Sequence, residues 1–292
     1  MNKNNRVRML LSDSLLFAVS NIGTKLIMFL MVPVYTYYLS TGTYGMVDLY
    51  LTTLTMLTPI VTLSVFDAVF RFSLDNGVEK PTIFSNGLVV TIIGGTIVLV
   101  LGAILTALVN DFNLLLFSLL LILNSLLSLI QNYLRGSGNK RLFVILGLIS
   151  SIFTAISTVG LLLIQNNLQS VIIGNSIGFI MAVFVGIGFG KLKFNMKEIS
   201  VSFISKLLQY SIPLIPNAFA WWFTNNVARF AILYFVGTAG NGIYAVATKI
   251  PALITVFFSI FSQAWQISAV NEFNSEDKSK YYSEVFNNLI AI

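Results

Sequence analysis

Three basic side chains lie inside long apolar stretches of the sequence: Lys25, Arg229 and Lys249. No acidic residue of the same stretch lies one helical turn away from any of them. A charge at membrane depth is costly, and such a residue usually faces a protein interior or a water-filled cavity on a transport path. The three cations therefore predict a cavity that accepts an anionic cargo.

The depth of each cation affects this interpretation. Lys25 is near the middle of its stretch, where a long side chain does not easily reach either membrane surface. Arg229 and Lys249 are roughly 11 Å from the outer ends of their predicted helices, at a rise of ~1.5 Å per residue. A basic side chain at that depth can also extend to the surface, so both interpretations stay open for these two residues.

Polar side chains share helical faces with the cations. Asn21 precedes Lys25 by one turn, and Asn225 precedes Arg229 by one turn. Asp48 heads a polar face of its own stretch and is expected to pair with Lys249 or to bind a counter-ion. The same face continues with Thr52, Thr55, Pro59 and Thr62. For the Ser and Thr residues, ordinary hydrogen-bonded packing between helices is the alternative. The predicted cargo-binding residues are Lys25, Arg229, Lys249, Asn21, Asp48 and Asn225.

The composition indicates a protein integrated in a membrane. Hydrophobic residues make up 56% of the 292 residues, charged residues 10%, and the mean hydropathy is +0.86. A soluble domain carries about 25% charged residues. Because the chain has no Cys and no His, it cannot form thiolate or imidazole metal sites, disulfides or a histidine-based catalytic centre. We expect no cofactor. The basic residues form no stripe of the kind that binds nucleic acid.

Apolar runs between polar breaks predict an all-α polytopic membrane protein with about eight spans and the start of a ninth near Tyr281. A span that stops in lipid leaves backbone carbonyls unsatisfied, so we expect the chain to be C-terminally truncated. The predicted helices are 10–39, 43–70, 83–109, 112–134, 142–164, 168–190, 205–236 and 242–270.

The basic residues also predict orientation. Fourteen of the 17 Lys and Arg residues lie in the N-terminus and in every second loop, and the intervening loops contain none. The other three are the cations inside the apolar stretches. Because Lys and Arg are enriched in cytoplasmic loops, the N-terminus is predicted to be cytoplasmic.

One segment of the chain recurs. Residues 37–46 align with residues 234–243 at an offset of 197, with identities at Tyr37/Tyr234, Thr41/Thr238 and Gly45/Gly242. An even number of predicted helices separates the two copies, so a true repeat would be parallel, with a binding site between two halves. The alternative is that two helical hairpins with glycine turns simply look alike. The repeat predicts an N-terminal lobe over 1–197 with six helices, and a partial C-terminal lobe over 198–292.

The opening SDSLLFAVSNIGTKLIMFLMVPVYTYYLSTGTYGMVDLYLTT resembles the first two helices of Wzx-like polysaccharide transporters, which belong to the multidrug/oligosaccharidyl-lipid/polysaccharide exporter superfamily. The elements that carry the resemblance are the helix NIGTKLIMFLMVPVYTYYLS, the turn with Tyr44-Gly45, and the following Asp48-Leu49. IPLIPN at 212–217 and the sequence around Gly242-Ile243-Tyr244 fit the same family.

The resemblance implies a two-lobe exporter of twelve or fourteen helices, with its cavity lined by helices 1, 2, 7 and 8. Such flippases move undecaprenyl-diphosphate-linked oligosaccharide across the cell membrane by alternating access, for O-antigen, capsule or teichoic-type polymers. Intramembrane cations would hold the diphosphate. Membrane lipids and other polysaccharide-assembly membrane proteins are the further partners implied.

Two other function classes are alternatives for a membrane protein of this kind. A cation-coupled multidrug exporter on the same fold needs intramembrane acids, and Asp48 is the one candidate; the coupling ion is not identified. A membrane-integral enzyme needs catalytic acids in an outer loop, and the predicted outer loops contain a single acidic residue, Asp111. We therefore expect a transporter and not an enzyme.

Overall fold

The computed structural model describes residues 22–75, 77–249, 251 and 283, and all regular elements within these residues are helical. Asn21 and the predicted ninth helix, except residue 283, lie outside the described residues, as does most of the predicted stretch 242–270. The helices are α1 (Ile22–Tyr38), α2 (Thr41–Val61), α3 (Val65–Ser73), α4 (Lys80–Val109), α5 (Phe112–Gly136), α6 (Lys140–Leu162), α7 (Leu168–Phe189), α8 (Val201–Ser211), α9 (Leu214–Val236) and α10 (Thr238–Ala247).

Four of the described helices, α4 to α7, are long and apolar enough to cross a membrane, and the bent pair α2–α3 makes a fifth if it is one span. Large apolar side chains are exposed along α4, where water contact would be unfavourable and lipid contact is not. They include Ile92, Ile93, Ile97, Leu101, Ile104 and Leu108. The chain is therefore a multi-pass membrane protein. The count of eight spans and the cytoplasmic N-terminus stay predictions.

Polar turn residues set the beginnings of the spanning helices. Asp111 begins α5 by accepting a hydrogen bond from the Asn113 N–H at 3.0 Å, and Asn167 begins α7 by accepting one from the Ser170 N–H at 2.9 Å. Such caps satisfy backbone donors that have no partner within the helix. The observed ends of α4 to α7 lie within a few residues of the predicted ones for this reason.

The prediction of one unbroken helix over 43–70 is wrong. Two helices, α2 and α3, cover that stretch and meet at an angle of 64°. Leu63 and Ser64 take left-handed backbone conformations, with φ of 50° and 51°. Pro59 removes one helical hydrogen bond shortly before the break. The hydroxyl of Thr62 donates to the Thr58 carbonyl at 2.7 Å, so this backbone carbonyl has a side-chain partner where the helical hydrogen bonds of α2 end.

A second break separates α8 from α9, where the sequence predicted one helix over 205–236. Pro213 follows the end of α8, and proline has no N–H with which to continue the helix. α8 turns its apolar face to α3 and α4, where Leu207 is fully buried. It is therefore a packed connecting helix, and α9 is a separate element.

Side-chain hydrogen bonds fasten the segment before α8 to the start of α4. The Asn86 amide donates to the Glu198 carbonyl at 2.9 Å and accepts from the Ser200 N–H at 2.9 Å. The Ser85 hydroxyl accepts from the Asn195 N–H at 2.9 Å. Ser85 and Asn86 are fully buried. These bonds hold the predicted connection between the lobes against the N-terminal helices.

The predicted repeat brings its two copies into direct contact where α2 and α10 begin. The Cα of Gly45 faces the Thr238 carbonyl, and the Cα of Gly242 faces the Thr41 carbonyl, so that each copy packs on the other in the same way. The Asn241 amide adds a buried hydrogen bond to the Gly45 carbonyl at 2.9 Å. A parallel repeat would produce this reciprocal contact. The division into lobes at residue 197 stays a prediction.

We expect Gly45→Ala and Gly242→Ala to destabilise the protein by similar amounts. A Cβ atom at either position would overlap a backbone carbonyl of the opposite helix, and overpacking of this kind costs about 1–3 kcal/mol. The measurement is the thermal unfolding midpoint of the purified protein in detergent.

Gly160→Ala is the matched control, because a Cβ atom there has nothing within 4 Å. That variant should unfold at the wild-type midpoint. Equal midpoints for Gly45→Ala and Gly160→Ala would show that the contact between α2 and α10 does not exist in the protein.

Candidate functional site

An ion pair joins α2 to α9 inside the helical bundle. The Arg229 Nε donates to the Asp48 Oδ2 at 2.7 Å, and the two side chains are only 14% and 8% exposed. A second guanidinium nitrogen of Arg229 donates to the Asn226 Oδ1 at 3.1 Å. Arg229 therefore has an acidic partner from another helix, and Asp48 pairs with Arg229 where Lys249 had been expected.

Neighbouring contacts support this pair from both helices. The Trp222 indole N–H of α9 donates to the Thr52 carbonyl of α2 at 3.0 Å. The Arg229 guanidinium lies 5.6 Å from the ring centroid of Tyr244 on α10, within the range of a cation–π attraction. The ion pair is thus held where α2, α9 and α10 meet.

Asp48 and Lys249 also line a cavity of about 310 Å³. Its walls come from α1, α2, α5, α6 and α7, with Lys249 following α10. Tyr35 and Tyr44 contribute stacked rings whose centroids are 5.6 Å apart. Lys249 lies within electrostatic range of both Asp48 and Arg229. Lys249 and Asp48 are thus the charged residues that line the cavity, and Arg229, the partner of Asp48, lies outside that lining.

Small residues on α7 bring α6 and α7 close together beside the cavity. Gly174 and Gly178 are one turn apart, and the backbone of α6 passes directly over both. This spacing of glycines is typical of close helix contacts in membranes. The Ser157 hydroxyl donates across the contact to the Gly174 carbonyl at 3.0 Å. The close approach places polar residues of both helices in the same wall.

The predicted site residues divide into two groups. Asp48, Arg229 and Lys249 come together as described. Lys25 is exposed on α1 and is not among the residues that line this cavity. Asn225 is exposed, and its amide donates to the Trp221 carbonyl at 2.7 Å. Asn21 lies outside the described residues.

Five cavity residues were missed because their helices were interpreted as lipid-facing or packed spans: Asn124, Ser150, Ser151, Thr154 and Asn175. The cavity therefore differs from the expected one, which lay between the predicted helices 10–39, 43–70, 205–236 and 242–270. A signal was present in the sequence. Asn124 and Asn175 each lie in the middle third of an apolar stretch. The three hydroxyl residues lie within the five-residue segment 150–154, inside the apolar stretch 142–164. A buried amide needs a partner, and this need points to a polar interior.

A larger cavity, of about 700 Å³, lies between α2, α4, α5 and α8. Ser118 supplies the one side-chain polar atom among its lining residues, which are otherwise Leu, Ile, Val, Phe and Gly. Such a surface offers nothing to an anion, so this cavity suits hydrocarbon and not a charged head group.

We expect Asp48→Asn to destabilise the protein by about 3–5 kcal/mol, because it leaves a buried guanidinium without its partner. Arg229→Gln should cost a similar amount. The double variant should cost less than the sum of the two single ones, since coupled residues are not additive. Chemical unfolding of the purified protein provides the measurement.

The exposed pair between Arg71 and Asp75 is the matched control, with a distance of 2.7 Å and side chains 48% and 44% exposed. Asp75→Asn should cost less than about 1 kcal/mol, as exposed ion pairs generally do. Equal costs for Asp48→Asn and Asp75→Asn would contradict a buried pair.

The comparisons with known proteins bear on the whole of this arrangement. No curated protein and no solved structure matches the chain. A family model described as "Polysaccharide biosynthesis protein" matches residues 10–266. That range contains α1 to α10, the ion pair and the polar cavity. The chain therefore belongs to the polysaccharide biosynthesis protein family.

Proposed function

We propose that this protein is a flippase that moves an undecaprenyl-diphosphate-linked oligosaccharide across the cytoplasmic membrane for surface polysaccharide synthesis. The observation that carries the proposal is that Lys249 lines a cavity inside a membrane protein where the acid of the lining, Asp48, is already paired with Arg229. Members of the family are generally transporters. The proposed flippase would serve the synthesis of O-antigen, capsule or teichoic-type polymers.

The charge arrangement suits a diphosphate. Asp48 is engaged by Arg229, so Lys249 is the cavity cation that has no ion-pair partner within 4.0 Å among the described residues. A phosphate attracted to Lys249 would also feel the positive charge of Arg229. In a region that excludes water, such charge-assisted contacts are stronger than they are in solution. Lys25 would add attraction from α1.

Alternating access would require α2 to separate from α9 and α10. In the present conformation the contacts between these helices include the ion pair, the Trp222 hydrogen bond to Thr52 and the glycine contacts at Gly45 and Gly242. The ion pair and the glycine contacts lie in the half of α2 nearest its start, which is the predicted outer side, and Thr52 lies one residue past the midpoint. We infer that they close the cavity on that side, and that an anionic cargo opens it by competing with Asp48 for Arg229.

A cation-coupled multidrug exporter is the alternative. It needs a free acid for the coupling ion or the cationic drug, and Asp48 is already neutralised by Arg229 at 2.7 Å. Asp111, the acid that an outer-loop enzyme would need, serves as the N-cap of α5. Both observations favour the flippase.

The test is complementation of a bacterial strain that lacks its own flippase. Wild-type protein should restore surface polysaccharide. Lys249→Gln, Arg229→Gln and Lys25→Gln should each reduce it by at least about tenfold, which corresponds to the loss of one hydrogen bond to a charged group. Polysaccharide is measured by staining, and protein level by immunoblot.

Lys193→Gln, which removes an exposed charge from the connection between the predicted lobes, should leave export unchanged. Wild-type export by all three of these lysine and arginine variants would refute the charge argument. Drug resistance without polysaccharide export in the wild type would favour the multidrug exporter.

A further inference from the structure

Six neutral hydrogen-bonding side chains line the polar cavity among its apolar residues, and the diphosphate does not account for them. Asn124 of α5, three hydroxyl residues of α6 and Asn175 of α7 face the space from one side, and Thr55 of α2 faces it from the other. The hydroxyl residues are Ser150, Ser151 and Thr154. A phosphate is recognised by cations and N–H groups. This wall has a different chemistry.

Several of these groups have hydrogen-bonding capacity that no described residue uses. The amide N–H of Asn175 donates to the Val171 carbonyl at 2.8 Å, and that of Asn124 donates to the Thr58 hydroxyl at 2.8 Å. Both amide oxygens remain available within the described part of the chain. Ser150 is 7% exposed, and its hydroxyl makes no hydrogen bond to any described residue. Buried polar groups nearly always have a hydrogen-bond partner, so these atoms are available to bind a ligand in the cavity.

The ligand class that matches such a wall is a neutral sugar. Sugar hydroxyls both donate and accept, as the amides and hydroxyls of this cavity require. The rings of Tyr35 and Tyr44 supply an apolar surface for the C–H face of a pyranose. The volume of about 310 Å³ is at the lower end of the ~300–1,000 Å³ typical of small-molecule sites. It suits one ring better than a chain of sugars.

We propose that this cavity binds the pyranose ring attached directly to the diphosphate, an inference that rests on the proposed flippase function. Lys249 lines the same cavity as the neutral groups, and the first sugar is covalently joined to the phosphate that Lys249 would attract. Asn175 and Ser150 are the residues that select the ring. The later sugars would extend out of the cavity.

The experiment compares two probes that differ only in the sugar. Farnesyl diphosphate and farnesyl diphosphoryl-glucose are titrated into the purified full chain by calorimetry, and the N-acetylglucosamine analogue is run beside them. The detergent must lack a sugar head group, because a maltoside would compete for the cavity. We expect at least one sugar-bearing probe to bind about tenfold more tightly than farnesyl diphosphate.

Asn175→Leu and Ser150→Ala should each reduce that preference by about threefold or more, as the loss of one neutral hydrogen bond does, and leave the affinity for farnesyl diphosphate unchanged. Asn132→Leu is the matched control. Its amide also bonds the carbonyl four residues before it, at 2.9 Å, and it does not line the cavity. This variant should keep the full preference.

Each other outcome is decisive. Equal affinity of the wild type for all probes overturns the sugar site and leaves the diphosphate proposal standing. Equal weakening of all probes by Asn175→Leu and Ser150→Ala shows a structural role and also overturns it. Failure of every probe to bind contradicts the flippase function itself, and the sugar site with it.

Discussion

The cost of a buried charge organises the centre of this protein. Arg229 and Asp48 are each expensive to hold among apolar helices, and only their contact makes both tolerable. The contact is between α2 and α9, which are far apart in sequence, so the ion pair specifies how these two helices meet. Lys249 lies beside the pair without an acid of its own among the described residues. The ion pair and Lys249 together therefore carry a net positive charge among apolar helices.

Close backbone approach provides the rest of the architecture. Lipid does not drive helices together as water does, and small residues that let backbones touch are a main source of association. α2 meets α10 through Gly45 and Gly242, and α6 meets α7 through Gly174 and Gly178. One contact closes the bundle beside the ion pair. The other assembles the polar wall of the cavity.

The two breaks between helices lie next to features that the proposed function uses. Proline lies near each of them, at Pro59 and Pro213, and removes a backbone donor. The break after α2 lies beside the apolar cavity of about 700 Å³, and the break after α8 precedes the helix that carries Arg229. In the proposed transport cycle, these are the positions where a helix can change direction without losing further hydrogen bonds.

The amino-acid sequence is sufficient to predict the helical class, the membrane location and the ends of α4 to α7. Hydropathy and polar caps such as Asp111 are local properties, so they can be recognised without knowing which helices pack against each other. It also identified the three cations and the Gly45/Gly242 identity. Three features depend on how the helices pack: Asp48 pairs with Arg229, Lys25 lies apart from the cavity, and Asn175 lines it. Pairing and cavity lining depend on which faces of distant helices meet. The periodicity of one helix shows that a polar face exists, but does not say what it contacts.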